Sequence, residues 1–205
     1  MSTPIPVSGI PFSLSASQEW PWRIAADGLR VTAKEHSDLF ADPSGDGQTA
    51  AESQMNAVTL LGDAPAGDFT FSARVRVGFG ATFDAGVLLV WVDDRHWAKL
   101  CFELSPDREA MVVSVVTRAV SDDANGFVVT GEDVRLRVSR TGSVLAFHAS
   151  TDGERWVFVR AFSLPGAEVA RIGFEAQSPM GEGCEVEFTE IAFERRTLAD
   201  LRDGS

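Results

Sequence analysis

The sequence predicts an all-β protein, a sandwich of two antiparallel sheets, and three observations carry that expectation. Residues 84–126 contain three successive runs in which aliphatic side chains alternate with aromatic and charged ones. Short runs of the same kind continue to the C-terminal region, separated by turns such as Arg140-Thr141-Gly142, Thr151-Asp152-Gly153 and Leu164-Pro165-Gly166. A 3.6-residue periodicity is nearly absent, and the one helical hint, over residues 195–202, is weak. Many short alternating strands with punctuated turns describe a sandwich rather than a helical or α/β protein.

The first clear strand runs through Leu29, Arg30, Val31, Thr32 and Ala33. Phe69, Phe71, Ala73, Val75 and Val77 then alternate with Thr70, Ser72, Arg74 and Arg76. After the three central strands, further strands are expected over 134–140, 144–150, 156–162, 169–177 and 184–194. Two segments break the pattern. Residues 37–53, rich in Asp, Gly, Ala, Ser and Gln, read as a long excursion, and residues 121–126 read as a shorter loop.

Successive side chains of a strand point to opposite faces, so the alternation sorts residues by face. Leu100, Phe102 and Leu104 are expected in the core, with Trp97, Lys99, Cys101 and Glu103 facing out. If the strands share one sheet, Arg137, His148, Arg171, Glu175 and Gln177 join that outer face. It is then either a solvated surface laced with ion pairs or a binding surface. Cys184, Val186 and Phe188 point inward by the same parity, so Cys184 and Cys101 are expected as two free thiols.

The chain has 205 residues, a size that one sandwich accommodates, and 1–205 is read as a single domain. Its net charge of −12 disfavours nucleic acid and anionic membrane surfaces as partners, while neutral polar ligands carry no such penalty. The N-terminal residues have neither a basic start nor a long apolar run, and two cysteines build no disulfide framework, so a reduced, cytoplasmic protein is expected.

Catalytic signatures are sparse. Glycosidases of sandwich folds use paired carboxylates, one as acid and one as nucleophile or base. Glu185-Val186-Glu187-Phe188-Thr189-Glu190 approaches such a pattern on the last strand, but alternating acids on an exposed strand are common. Glu103 and Glu175 rank ahead of Glu187 as candidate carboxylates. His36, His96 and His148 lack zinc-ligand spacing. Residues 42–47 and 121–125 offer oxygens to calcium, yet Asp, Asn and Gly populate turns for conformational reasons alone. No cofactor is expected. Trp20, Trp22, Trp91 and Trp97 are candidate sugar-stacking platforms; core packing explains any one of them, with Trp97 the exception by its face. Asp152-Gly153 is expected to turn a hairpin that Trp156 pins to the core.

Several fragments taken together resemble the concanavalin A-like family of domains that take their name from "regulation of enolase". They are Ser37-Asp38-Leu39-Phe40, the run from Asp84 to Trp91, Trp97-Ala98-Lys99-Leu100 with Glu103, and Ser114-Val115-Val116-Thr117-Arg118. Ser121-Asp122-Asp123, Ser150-Thr151-Asp152-Gly153 with Trp156, and Ala176-Gln177-Ser178-Pro179 complete the succession. The resemblance implies a jelly-roll of two curved sheets. Relatives in the wider lectin and glucanase group bind or cleave glycans on the concave face. Family members often carry Trp where this chain has Phe40.

The leading expectation is therefore a noncatalytic lectin-like module for a carbohydrate or other small polar ligand. Its binding residues are expected among Asp38, Trp97, Lys99, Glu103, Arg118, His148 and Gln177. A glycoside hydrolase using outward carboxylates is the second reading. A protein-interaction or homodimerisation domain using a sheet face or an edge strand is the third.

Overall fold

The computed structural model describes residues 3–18, 21–44 and 53–205. In chain order the strands are β1 (Ser15–Ala16), β2 (Trp22–Ala25), β3 (Gly28–Thr32), β4 (Leu39–Phe40), β5 (Gln54–Met55), β6 (Val58–Asp63), β7 (Phe69–Val77) and β8 (Ala85–Asp93). They continue with β9 (His96–Leu104), β10 (Ala110–Arg118), β11 (Val120–Val128), β12 (Asp133–Thr141), β13 (Val144–Ser150), β14 (Val157–Phe162), β15 (Arg171–Gln177) and β16 (Glu185–Glu194). One sheet has the order β1-β6-β15-β8-β9-β10-β11, and the other β14-β13-β12-β7-β16-β3-β2. Every pairing within them is antiparallel. The molecule is a β-sandwich.

The main core fills the space between the sheets. Leu88, Leu100, Phe102 and Phe174 from the first sheet meet Phe71, Val75, Phe147 and Phe188 from the second. Phe174 touches both Phe71 and Phe188, with ring centroids 5.3 and 4.7 Å away. At Gly86 the sheets approach so closely that an added Cβ would lie 2.6 Å from Val75 and Val186, so only glycine fits there.

The three central strands are β8, β9 and β10, paired in succession as the alternation predicts. Cys184 lies in the main core and Cys101 on the opposite face of the first sheet, and both are free.

Four expectations need correction. Residues 121–126 are not a loop but part of edge strand β11, in register with β10 from Arg118↔Val120 to Val113↔Asn125. An edge strand satisfies its backbone on one side only and tolerates Asp and Asn, which propensity alone assigns to turns. Residues 195–202 form no helix; the chain leaves β16 and turns near its end. The charged strand faces do not share one sheet: Arg137 and His148 belong to the second sheet, the remainder to the first. Trp156 is half-buried against the Arg137 guanidinium, 4.2 Å from its ring, on the outer face of the second sheet rather than in the core. Parity assigns a residue to a face but not to a sheet. The Asp152 turn itself forms as expected, its carboxylate accepting from the Glu154 and Arg155 amides and the Ser150 hydroxyl.

Candidate functional site

The face of the first sheet that points away from the main core is itself covered. β4 and β5 pair as a two-stranded ribbon lying across it. The ribbon is tied to the sheet at both ends of its approach. Ser37 and Ser178 exchange backbone hydrogen bonds, and the Ala41 amide donates to Ser121 Oγ at 3.0 Å. Beneath it a second apolar cluster forms from Leu39, Val87, Leu89, Trp97, Cys101 and Val115. A sheet with apolar side chains on both faces must be covered on both, and the segment read as an excursion provides the second cover.

The ribbon divides the face into two cavities. Asp38, Phe40 and Gln54 turn toward one of about 380 Å³, whose floor holds Lys99, Glu103 and Gln177. Leu39 and Met55 turn toward the other, of about 460 Å³, beside Trp91. The charged groups of the second cavity, Asp94 and Arg171, are exposed. In the first, Lys99 is buried and Asp38 and Glu103 are half-buried, with Asp123 exposed at the edge, which makes it the candidate site.

Strand register explains how these residues meet. Gln177 pairs with Ala85, and Ala85 pairs with Glu103, so the three form one row across β15, β8 and β9. Lys99, Val115 and Asp123 form another across β9, β10 and β11. Glu175 lies in the row between, with Val87, Cys101 and Val113. The Lys99 ammonium, 2% exposed, donates to Asp38 Oδ1 and to Gln177 Oε1, each at 2.8 Å. Gln177 Nε2 in turn donates to the Phe83 carbonyl at 3.2 Å. Phe83, on the rim, has a φ of 67°, a strained conformation for a bulky side chain. Asp84 holds this corner by accepting from the Gly80 and Ala81 amides and from Ser178 Oγ.

The electrostatics follow from enclosure. Burial pushes the Glu103 carboxyl up to about 8, against the pull of Lys99 and with the help of Asp38. Burial does the same to Glu175, also to about 8. Burial raises Asp123 as well. Burial opposes the Lys99 charge, but the Asp38 and Glu175 carboxyls more than offset it and hold the ammonium well above its usual range. Glu175 is 0% exposed, and neither of its carboxyl oxygens has a hydrogen-bond partner.

Of the expected binding residues, the structure brings together Asp38, Lys99, Glu103 and Gln177. Trp97 is on the expected face but 0% exposed, packed under Leu39 in the second cluster, so it is no stacking platform. Trp22 is in the main core, Trp91 is half-buried at the second cavity, and Trp20 lies outside the described residues. Arg118 is exposed at the end of β10 and donates to the Ser163 carbonyl. His148 is on the other sheet, its Nε2 2.8 Å from the Leu201 carbonyl. Glu187 is also there, 2.6 Å from Arg30 Nε. His148 and Glu187 are outside the site because their strands belong to the other sheet, which parity does not reveal; Arg118 is on β10 but at its end and on the parity of Val116, which faces the main core. The sequence pattern does not reveal Phe83, Asp123 and Gln54. Asp123 stands in a fragment that reads as a loop, and no pattern marks Phe83 or Gln54.

Among the described residues, no three His, Cys, Asp or Glu side chains gather as a metal site. Asp42 binds the Ser44 amide and hydroxyl, and residues 45–47 of that calcium candidate lie outside the described residues. Asp122 of the second candidate pairs with Arg160 at 2.9 Å. No helix among the described residues is long and apolar enough to cross a membrane.

Two antiparallel sheets packed face to face have the concanavalin A-like sandwich architecture. The chain belongs to the family described as "Protein of unknown function (DUF1349)", whose profile matches residues 15–196. It is 32% identical over 132 residues to Regulation of enolase protein 1 of Saccharomyces cerevisiae, a match spanning 64% of this chain and 66% of that one, just under two thirds. A solved structure of a functionally unknown protein from Saccharomyces cerevisiae superposes with a TM-score of 0.78 and 24% identity, over 90% of this chain and 97% of that one. Carbohydrate-binding module CBM66 from Bacillus subtilis superposes at 0.51 and 11% identity, over 88% and 94%. The xylan β-1,4-xylosidase from Bacillus halodurans C-125 superposes at 0.64 and 12% identity, over 88% of this chain but 38% of the enzyme. At these identities the last three likenesses concern the fold alone.

Proposed function

We propose that the protein is a noncatalytic, lectin-like module that holds a small polar ligand of carbohydrate type in the cavity between the β4–β5 ribbon and the first sheet. One observation carries this reading. Asp38, Lys99, Glu103, Asp123 and Gln177 come from separate stretches of the chain and converge on one cavity of about 380 Å³. That volume falls within the roughly 300–1,000 Å³ of small-molecule sites. Phe40, Phe83 and Met180 add apolar walls for sugar C–H surfaces. The likeness to a carbohydrate-binding module supports the same class.

Hydrolysis is the weaker reading. A glycosidase needs one carboxyl kept protonated and another kept ionised. Here Glu103 and Glu175 are both pushed up to about 8 by the same burial, and Glu175 is fully enclosed. A cytoplasmic location is part of the same proposal; Cys101 and Cys184, on opposite sides of the first sheet, form no disulfide that would call for an oxidising compartment.

A glycan array followed by calorimetry tests the proposal. Binding should weaken about tenfold or more in Phe40→Ala, as for a lost stacking contact. No reducing sugar should be released from a polysaccharide panel. Binding that survives blocking of the cavity by Val115→Trp, or turnover abolished by Glu103→Gln, would overturn it.

A further inference from the structure

We infer that the group this cavity is built to hold is a primary ammonium, carried on the small polyhydroxylated ligand proposed above. The inference rests on that reading of the site and adds the chemical feature that selects among such ligands.

The hydrogen-bond inventory of the cavity is one-sided. Its donors are largely spent: Lys99 Nζ has committed two of its three protons, to Asp38 and Gln177, and Gln177 Nε2 donates to Phe83 O. Its acceptors are not. Gln54 Oε1, on the cavity wall, is buried without a partner, and so are both oxygens of Glu175 on the same side of the sheet. Glu103 and Asp123 line the cavity and make no side-chain hydrogen bond among the described residues. Glu103 is half-buried and Asp123 reaches solvent, so the cost of missing partners falls on Gln54 and Glu175, and a donor-rich guest relieves it.

The charge inventory points the same way. Four carboxyl groups, those of Asp38, Glu103, Asp123 and Glu175, surround a single ammonium, Lys99, which Asp38 already neutralises at 2.8 Å; Glu103 and Glu175 stay protonated for want of a second cation. From β11 the other charges near Asp123 are Asp122 and its partner Arg160, and these two offset one another. A neutral sugar would hydrogen-bond these groups but give neither Glu103 nor Glu175 a cation to ionise against. A ligand with three N–H donors and one positive charge answers both. The rim rings Phe40 and Phe83 suit a cation as well as a sugar face.

The proton linkage gives a signature. Burial holds the Glu103 and Glu175 carboxyls up at about 8, so both keep their protons at neutral pH unless a cation joins them. An ammonium that pairs with an ionised carboxylate must displace one. Affinity for the amine should therefore rise between pH 6 and pH 8, approaching about tenfold per pH unit for each proton released.

The test uses matched pairs: 1-amino-1-deoxysorbitol against sorbitol, and glucosamine against glucose. Binding is followed by calorimetry on the full chain at pH 6, 7 and 8, in two buffers of different ionisation enthalpy. The first pair carries the pH series because its amine remains charged throughout. The expected result is amine binding at least tenfold tighter than binding of the hydroxyl partner, with proton release. Glu103→Gln should remove most of that preference while leaving weak sorbitol binding; Asp123→Asn serves if Glu103→Gln fails to fold. Equal affinity within each pair, or no pH dependence of the amine, would overturn the ammonium inference and leave the carbohydrate reading standing. If neither pair binds while the glycan array is positive, the ammonium inference falls alone. If neither pair nor the array binds, both fall.

Discussion

The second sheet carries Glu187 on β16 facing Arg30 on β3, and Arg74 on β7 facing Asp133 on β12, pairs 2.6 Å apart and partly open to solvent. The first sheet carries Lys99 and Glu103 on β9 and Glu175 on β15, on the same alternating strand positions. Lys99 is 2% exposed there, Glu175 is 0% exposed, and Glu103 is left without a side-chain hydrogen bond among the described residues. The two patterns are indistinguishable along the strand. What separates them is a ribbon contributed from elsewhere in the chain, which covers the first sheet's face; the second sheet's is covered about Arg137 and His148, by residues 201–204, and open where these pairs lie. A charged residue on an open face relaxes into an ion pair and contributes little. Under a cover it shifts its pKa or waits for a ligand.

The largest effects that would break this comparison are expected at Trp97 and Lys99. Trp97→Ala should destabilise by about 3–5 kcal/mol in urea unfolding, comparable with Phe102→Ala in the main core. A near-neutral result would mean that the ribbon does not bury this face. Lys99→Ala should cost about 3–5 kcal/mol, because it leaves Asp38 charged and unpaired in an enclosed site. Restoration by a second change, Asp38→Asn, would confirm that the loss comes from the stranded carboxylate.

Glu175 gives a smaller effect with a definite pH window. Its folded pKa of about 8 lies above the ordinary glutamate value of 4.5. The folded state therefore keeps a proton that the unfolded state has lost, and stability should fall as pH rises from about 4.5 to about 8. Glu175→Gln should flatten that slope, with a gain on the order of a few kcal/mol at pH 8.5 and no gain near pH 4. An unchanged slope would remove Glu175 as its source. The smallest effect belongs to the open face. Arg30→Ala should shift the melting curve by little more than its scatter, and by nothing in 1 M salt, where exposed pairs are screened.

Much of the sandwich is legible in the strand alternation. From β7 through β10 it gives each side chain its face, and the opposite placement of Cys101 and Cys184 follows from parity alone. Half of the candidate site is legible for the same reason: Lys99 and Glu103 share one strand face, and Asp38 and Gln177 sit in fragments that carry the family resemblance. The misplaced residues have two causes. His148 and Glu187 have the right parity, but hydrogen-bond partnership between distant strands puts them on the other sheet, whereas Arg118 is on the right strand with the opposite parity. Asp123 is hidden because its Asp- and Asn-rich segment pairs as an edge strand against its propensity.

By itself the sequence determined the local quantities: which residues alternate, which turns reverse the chain, and which side of a strand each side chain takes. These depend on backbone geometry over a few residues. Only the tertiary structure decided which face is covered, because that depends on where residues 37–44 and 53–57 come to rest on a sheet built largely from strands far along the chain. Burial is a property of what lies above a residue, and nothing in the spacing of Trp97, Lys99 and Glu103 records it. The same covering turned an ordinary alternation of charges into an enclosed cavity with raised carboxyl pKa values and unpaired acceptors.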